Sequence, residues 1–285
     1  MRKLIIVVFM IQLVGYCPSG SAADIERTET IEKTLRFGES GTDRLIIVDN
    51  VFGSIRVKGS KGNEVRVTAH KTIEARSEKK ADEAEEEVTL EILNEDDVIE
   101  LYVDGPFRDK RKGGVSWRGS KKQGYKVIYD FELEIPRGCA VELNTVNEGD
   151  IVVESIDGDF DVGNVNGGID MTGLRGSGDV YAVNGRVKLE FDTNPQRDCS
   201  VGTINGDVRL YFKPGLSADF YLKTMNGEVF TDFEVDALPG KTEKASTKNG
   251  KNVYMIARMS GIRAGRGGPE IELKTLNGDM FILSR

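Results

Sequence analysis

The segment FYLKTMNGEVF at residues 220–230 returns as IELKTLNGDMF at residues 271–281. Each copy sets Asn-Gly between two short runs in which apolar and β-branched side chains alternate, the pattern of strands with one buried face. Asn and Gly are the residues that best tolerate a positive φ, so the pair predicts a chain reversal or corner between the strands. The two copies belong to a longer series, with VNEGDI from 146, VNGGI from 165, VNGRV from 183 and INGDV from 204. IDGDF from 156, LRGSGDV from 174 and VFGSI from 51 are looser variants. The predicted structural corners are Asn166-Gly167, Asn184-Gly185, Asn205-Gly206, Asn226-Gly227 and Asn277-Gly278.

Spacing separates two architectures. Glycines 149, 158, 167 and 176 recur every nine residues, room for one short strand and one corner. Successive turns of a meander have no reason to share chemistry, whereas identical corners suit stacked, equivalent rungs. Beyond Val187 the interval grows and Pro195, Pro214 and Pro239 fall in outer connections, where no ladder donor is needed. The expected fold is all-β, a β-solenoid or repeat-like stack of sheets.

The first half speaks the same language. LIIV at 45–48, SIRVKG at 54–59, EVRVTA at 64–69, VTLEIL at 88–93 and VIELYV at 98–103 alternate as strands do. RSEKKADEAEEEV at 76–88 is rich in Ala, Glu and Lys and begins near Ser77, which predicts one short, solvated helix crossing between strands. Residues 1–23 read as a secretory signal: Arg2 and Lys3, then an apolar run too short to span a bilayer, then Ser21, Ala22 and Ala23. Cys17 follows Tyr16, where lipoprotein processing expects a small residue. The expected organisation is a signal over 1–23, a β region over 24–135 and the repeat region over 136–285, the last two as one continuous domain. No transmembrane segment is expected after cleavage.

Charge and residue chemistry narrow the function. Removing the signal leaves 37 basic against 47 acidic residues, a balance that excludes a general nucleic-acid binder. Basic residues concentrate instead in the loop between 104 and 126, where Arg108, Lys110, Arg111, Lys112, Trp117, Arg118, Lys121 and Lys122 form a candidate polyanion-binding patch. The plain alternative is a solvated excursion whose charge keeps it soluble. Cys139 and Cys199 can either pair in an oxidising compartment or sit as buried free thiols. His70, the one histidine, falls on the exposed face of its strand. A nucleophilic triad or a zinc site therefore lacks its usual members, and no catalytic residue, metal or cofactor is expected. Asp150, Asp159, Asp179, Asp207, Glu228 and Asp279 follow corner glycines and raise calcium as an alternative to a solvated acidic edge. The calcium nonapeptide GGxGxDxUx is absent, since Gly167 and Gly168 lead into Ile169 and Asp170.

An export signal, an N-terminal VFGSIRVKGSKGNEVRVTA and a series of T(V/I/M/L)NG(D/E) corners ending in LNGDMFI together resemble the bacterial putative-adhesin domain family over residues 29–285. The resemblance implies a β-solenoid-like domain in the periplasm, cell envelope or outside the cell. Its motif specifies fold and not activity. The expected role is structural, adhesin-like or binding, toward an envelope polymer, an envelope protein or the chain's own kind. Two alternatives are an accessory modulator or sensor of an envelope-stress system and a carbohydrate-active β-helix enzyme, the latter weakly served by one tryptophan.

Overall fold

The computed structural model describes residues 25–38, 43–108, 123–242, 247–248, 251–252 and 258–285. The signal segment lies outside them. One sheet has ten strands in the order β1 (Ile25–Arg36), β4 (Glu64–Ala75), β7 (Tyr125–Pro136), β3 (Ile55–Ser60), β9 (Ile151–Glu154), β11 (Ile169–Leu174), β13 (Val187–Phe191), β15 (Val208–Phe212), β23 (Met280–Ser284) and β17 (Val229–Thr231). The other has eleven, in the order β18 (Val235–Thr242), β21 (Arg258–Ala264), β16 (Ala218–Lys223), β22 (Glu270–Lys274), β14 (Cys199–Asn205), β12 (Gly178–Asn184), β10 (Phe160–Asn166), β8 (Ala140–Asn147), β2 (Leu45–Asp49), β6 (Val98–Asp104) and β5 (Thr89–Glu95). A separate pair, β19 (Thr247–Lys248) and β20 (Lys251–Asn252), stands apart.

Each rung is one strand of the eleven-stranded sheet, an Asn-Gly corner, and one strand of the ten-stranded sheet. The nine-residue unit is thus half a turn. Gly149, Gly167 and Gly185 stack on one edge, while Gly158 and Gly176 stack on the opposite edge. The expectation of one strand and one corner per rung is corrected by this two-sheet coil, in which successive corners do alternate sides. Strands of neighbouring rungs pair in parallel and in register, as Ile169 with Ile151 and Val187 with Ile169.

Alternation fills the space between the sheets. Ile151, Ile169, Val187, Val208 and Met280 form one inward column, each at most 1% exposed. Burying such a side chain contributes roughly 1.5–3 kcal/mol, so every rung supplies its own share of the core. Phe191 and Phe212 stack on each other at 5.1 Å, and Phe220 meets Phe212 edge-on at 5.8 Å.

Rung order departs from chain order at both ends. The rung β22–β23 lies between β14–β15 and β16–β17, and the rung β2–β3 lies between β8–β9 and β6–β7. The two opening segments are therefore neighbours: Phe220 pairs with Ile271, Leu222 with Leu273, Val229 with Met280 and Phe230 with Phe281. Antiparallel strands close three of the four sheet ends: β1 and β4 beyond β7, β5 beyond β6, and β21 and β18 beyond β16.

The crossing helix is α1 (Glu78–Glu87). Ser77 caps it by accepting from the Lys80 amide, and buried Ala81 and Ala84 face the sheet. Arg27 of β1 holds its exposed side through Glu78, Asp82 and Glu85. The cysteines do not pair. Cys199 begins β14 and Cys139 precedes β8, with β12 and β10 between them. Three strand steps of about 4.8 Å exceed the reach of a disulfide. Both are buried free thiols, and burial pushes the Cys139 thiol up to about 11.

Candidate functional site

The repeated motif is consumed by the stack itself. Asn166 donates from Nδ2 to Asn147 Oδ1 at 2.8 Å, Asn184 to Asn166 at 2.9 Å, Asn205 to Asn184 at 2.8 Å, Asn277 to Asn205 at 2.7 Å and Asn226 to Asn277 at 2.7 Å. This ladder has one polarity and spans the six rungs from Asn147 to Asn226. The glycine after each Asn is selected by close approach. A Cβ on Gly167, Gly185, Gly206, Gly278 or Gly227 would collide with the carbonyl of the glycine one rung below. Gly206 and Gly278 have the expected positive φ, whereas Gly149, Gly167, Gly185 and Gly227 do not, so at these four the steric reason takes the place of the conformational one.

Two further positions complete the corner. The residue two before the Asn donates to a glycine carbonyl of the neighbouring rung: Thr145 to Gly53 and Thr203 to Gly185, both at 2.9 Å, Thr275 to Gly206 at 3.2 Å and Thr224 to Gly278 at 3.3 Å. Asn164 fills the same role toward Gly149 at 2.9 Å. The acid after the glycine accepts an amide of the adjacent rung, as Asp150 from Gly168 at 2.7 Å, Asp207 from Asp279 at 3.1 Å and Asp279 from Glu228 at 2.9 Å. The other two acids lie elsewhere. Asp159 is on the opposite edge with Arg197, and Asp179 is on the outer face of the eleven-stranded sheet. Among the described residues, no group of three His, Cys, Asp or Glu is placed to hold a metal ion.

That outer face carries the chemistry the fold does not use. Pairing in register aligns Glu100, Ile47, Glu142, Asp161, Asp179, Ser200 and Glu272 in one row across seven strands. Beside it, Asn144, Gly163, Tyr181, Gly202 and Lys274 form a second row, in which Tyr181 is 48% exposed and leans over Gly202. Glu142, Asp161 and Asp179 border a shallow hollow of about 360 Å³ with Ser177 and Arg197. Burial, then Asp161, Asp49 and Glu100, raises the Glu142 carboxyl above the usual range. Burial and then Asp179 raise Asp161. Glu272, at the end of the row, pairs with Lys274 at 2.9 Å, and on the outer face of the ten-stranded sheet Lys188 lies between Asp170 at 3.4 Å and Glu190 at 3.7 Å.

The acidic row was readable and was missed. Glu142, Asp161, Asp179 and Glu272 each stand five residues before a corner Asn, an offset visible once the copies are aligned on that Asn.

Of the candidate polyanion patch only Arg108 is described. Its guanidinium grips both carboxylate oxygens of Asp49 at 3.0 Å and the Val103 carbonyl at 2.9 Å, and stacks 4.4 Å from the Tyr102 ring. With 6% of its side chain exposed, Arg108 pins the base of the loop and is not free for a ligand. Lys110, Arg111, Lys112, Trp117, Arg118, Lys121 and Lys122 lie outside the described residues. His70 is exposed and hydrogen-bonds Thr30 across the strands at 3.2 Å.

Residues 137–262 match the family described as Toastrack DUF4097, which bears out the resemblance and the β-solenoid-like fold. No curated protein matches. A solved structure described as a putative cell adhesion protein from Clostridium sporogenes aligns over 90% of this chain and 100% of its own, with 12% identity and a TM-score of 0.43. A putative adhesin from Bacteroides fragilis aligns over 90% and 97%, with 11% identity and a TM-score of 0.38. A putative lipid binding protein from Parabacteroides distasonis aligns over 89% and 96%, with 10% identity and a TM-score of 0.28. Among the described residues no helix is long and apolar enough to cross a membrane.

Proposed function

We propose that this chain, a Toastrack-type β-solenoid over its matched stretch, is an exported cell-envelope protein that binds a partner and performs no catalysis. Residues 24–135 and 136–285 act together, since both sheets draw strands from each part. The binding surface is the outer face of the eleven-stranded sheet. One observation carries this reading: the register sets Glu142, Asp161 and Asp179 side by side on neighbouring strands, where burial and their neighbours' charges raise the Glu142 and Asp161 carboxyls, so their ionised forms cost stability. Residues kept at such a cost are candidates for function. Flat, in-register carboxylates at strand spacing suit a repeating partner that offers cations or hydroxyl donors, such as an envelope polymer. The exposed Tyr181 ring supplies an apolar platform beside them.

The test is a pull-down on purified envelope material with a Glu142→Gln, Asp161→Asn, Asp179→Asn variant. Retention is expected to fall at least about tenfold, as loss of a few charge-assisted contacts requires, with an unchanged circular dichroism spectrum. Equal retention would remove this face from the proposal.

A further inference from the structure

The ion pairs of the outer face leave one stretch of the acidic row uncompensated. Arg197 is engaged with Asp159, and Lys274 with Glu272, but among the described residues no cation pairs with Glu142, Asp161 or Asp179. These three stand on the adjacent strands β8, β10 and β12, about 4.8 Å apart, so their charges press on one another. A neutral partner that covered them would strip their water and return nothing for the charge. Charge complementarity therefore calls for cations, one at each strand step.

The neighbours of these carboxylates say what carries the cations. Tyr181 follows Asp179 by two residues on the same face of β12, is 48% exposed, and draws its ring over Gly202, where a Cβ would lie 3.4 Å from Tyr181 Cδ2. On the other side the Asn144 amide lies over Gly163, which has no side chain to raise the floor. The result is a low aromatic step beside the carboxylates, a surface on which the apolar face of a sugar ring or an ammonium group rests. Ser177, 6% exposed, lines the hollow with Asp161 and Asp179, and the one described partner of its hydroxyl is the weakly bonding Cys199 thiol. A ligand hydroxyl would give it a strong one.

An extended peptide fits this face poorly. Its same-face side chains repeat at roughly 6.8 Å, against about 4.8 Å between the carboxylates. β8, β10 and β12 each have a strand on both sides, so a peptide laid across them would find no backbone partners for its own amides. A glycan has no such backbone to satisfy, and its outer hydroxyls stay in water. We propose that this face binds a glycan bearing free amino groups, with its ammonium groups on Glu142, Asp161 and Asp179 and a sugar ring against Tyr181. This rests on the reading of the outer face as the binding surface and adds the chemistry of what it takes.

The probe is a fluorescently labelled glucosamine hexamer, titrated into the full protein and followed by anisotropy. Saturable binding is expected, weakened at least about tenfold by N-acetylating the probe or by the Glu142→Gln, Asp161→Asn, Asp179→Asn variant, and about threefold by Tyr181→Ala. A lysine hexamer is expected to bind at least about tenfold more weakly than the glucosamine hexamer. Equal binding of the acetylated probe would overturn the amine. Equal or tighter binding of the lysine hexamer, or indifference to Tyr181→Ala, would overturn the glycan. Indifference to the triple variant would overturn the proposal together with the reading beneath it. No binding of the glucosamine hexamer, with envelope retention still lost in the triple variant, would overturn the proposal alone.

Discussion

A single methyl group tests the corner. Gly167→Ala would drive a Cβ into the Gly149 carbonyl, whereas the Cβ of Gly138→Ala would meet nothing within 4 Å. The first is expected to destabilise by at least about 2 kcal/mol and the second to stay within about 0.5 kcal/mol, read from urea unfolding. The carboxylates divide by sign. Asp207 is held below the usual range by the Asp279 amide and then by Arg209, so it stabilises above its unfolded pKa and loses this as pH falls through its folded value. Glu142 and Asp161 are raised, so they destabilise above their folded pKa and are relieved as pH falls toward the ordinary range. The Glu142→Gln, Asp161→Asn variant is therefore expected to be more stable than wild type at pH 7. Its advantage should vanish by about pH 4, measured by melting temperature across that range. A variant less stable at pH 7 would contradict the burial argument.

At the scale of the element, the helix and the corners were legible and the rung was not. Ser77 announced α1, and Asn-Gly announced the corners, because caps and turns depend on a few local residues. The glycines misled on mechanism at Gly167, Gly185 and Gly227 but not at Gly206 and Gly278, since close approach to a neighbouring rung leaves no local trace different from positive φ. Nine-residue spacing misled on the rung because both edges of the coil carry glycine, one over the Asn ladder and one at Gly158 and Gly176. The cysteine question needed the strand order, which no spacing contains. Arg108 looked like one of eight equivalent cations and proved to be an anchor, as only the fold brings Asp49 and Tyr102 beside it. This changes how the loop is tested. Phe107 packs edge-on to Phe52 at 6.4 Å, so a deletion must spare both Phe107 and Arg108. Removing residues 109–122 is expected to keep the melting temperature within a few degrees and, where the loop is a polyanion site and not a solvated excursion, to abolish retention on an anionic polymer. Retained binding would make the loop's charge a matter of solubility alone.

The whole molecule is a stack with two unlike ends. At the end of β1 and β5 the rungs finish in antiparallel strands and α1, while at the other end β21 and β18 cover β16 and, among the described strands, none lies beyond β17. Capped ends keep a solenoid from stacking on its neighbours, and the antiparallel strands serve that role at three of the four sheet ends. A chain truncated after residue 268 lacks β22 and β23 and leaves β14 and β15 facing a gap. The rung β16–β17 carries the same Leu-Lys-Thr and Asn-Gly residues as the missing one. It is expected to move inward one step and dock on β14–β15, with hydrogen exchange showing protection retained in residues 218–231. Loss of that protection would show that the inner place accepts only its own sequence.

The inserted rung also separates the order of synthesis from the order in space. A ribosome delivers β16 and β17 before β22 and β23, yet the later pair must end up beneath the earlier. An assembly line that adds each storey to the top cannot make this building. The storey made of β16 and β17 must wait unattached, or attach and be lifted, until residues 270–285 arrive to be slid under it.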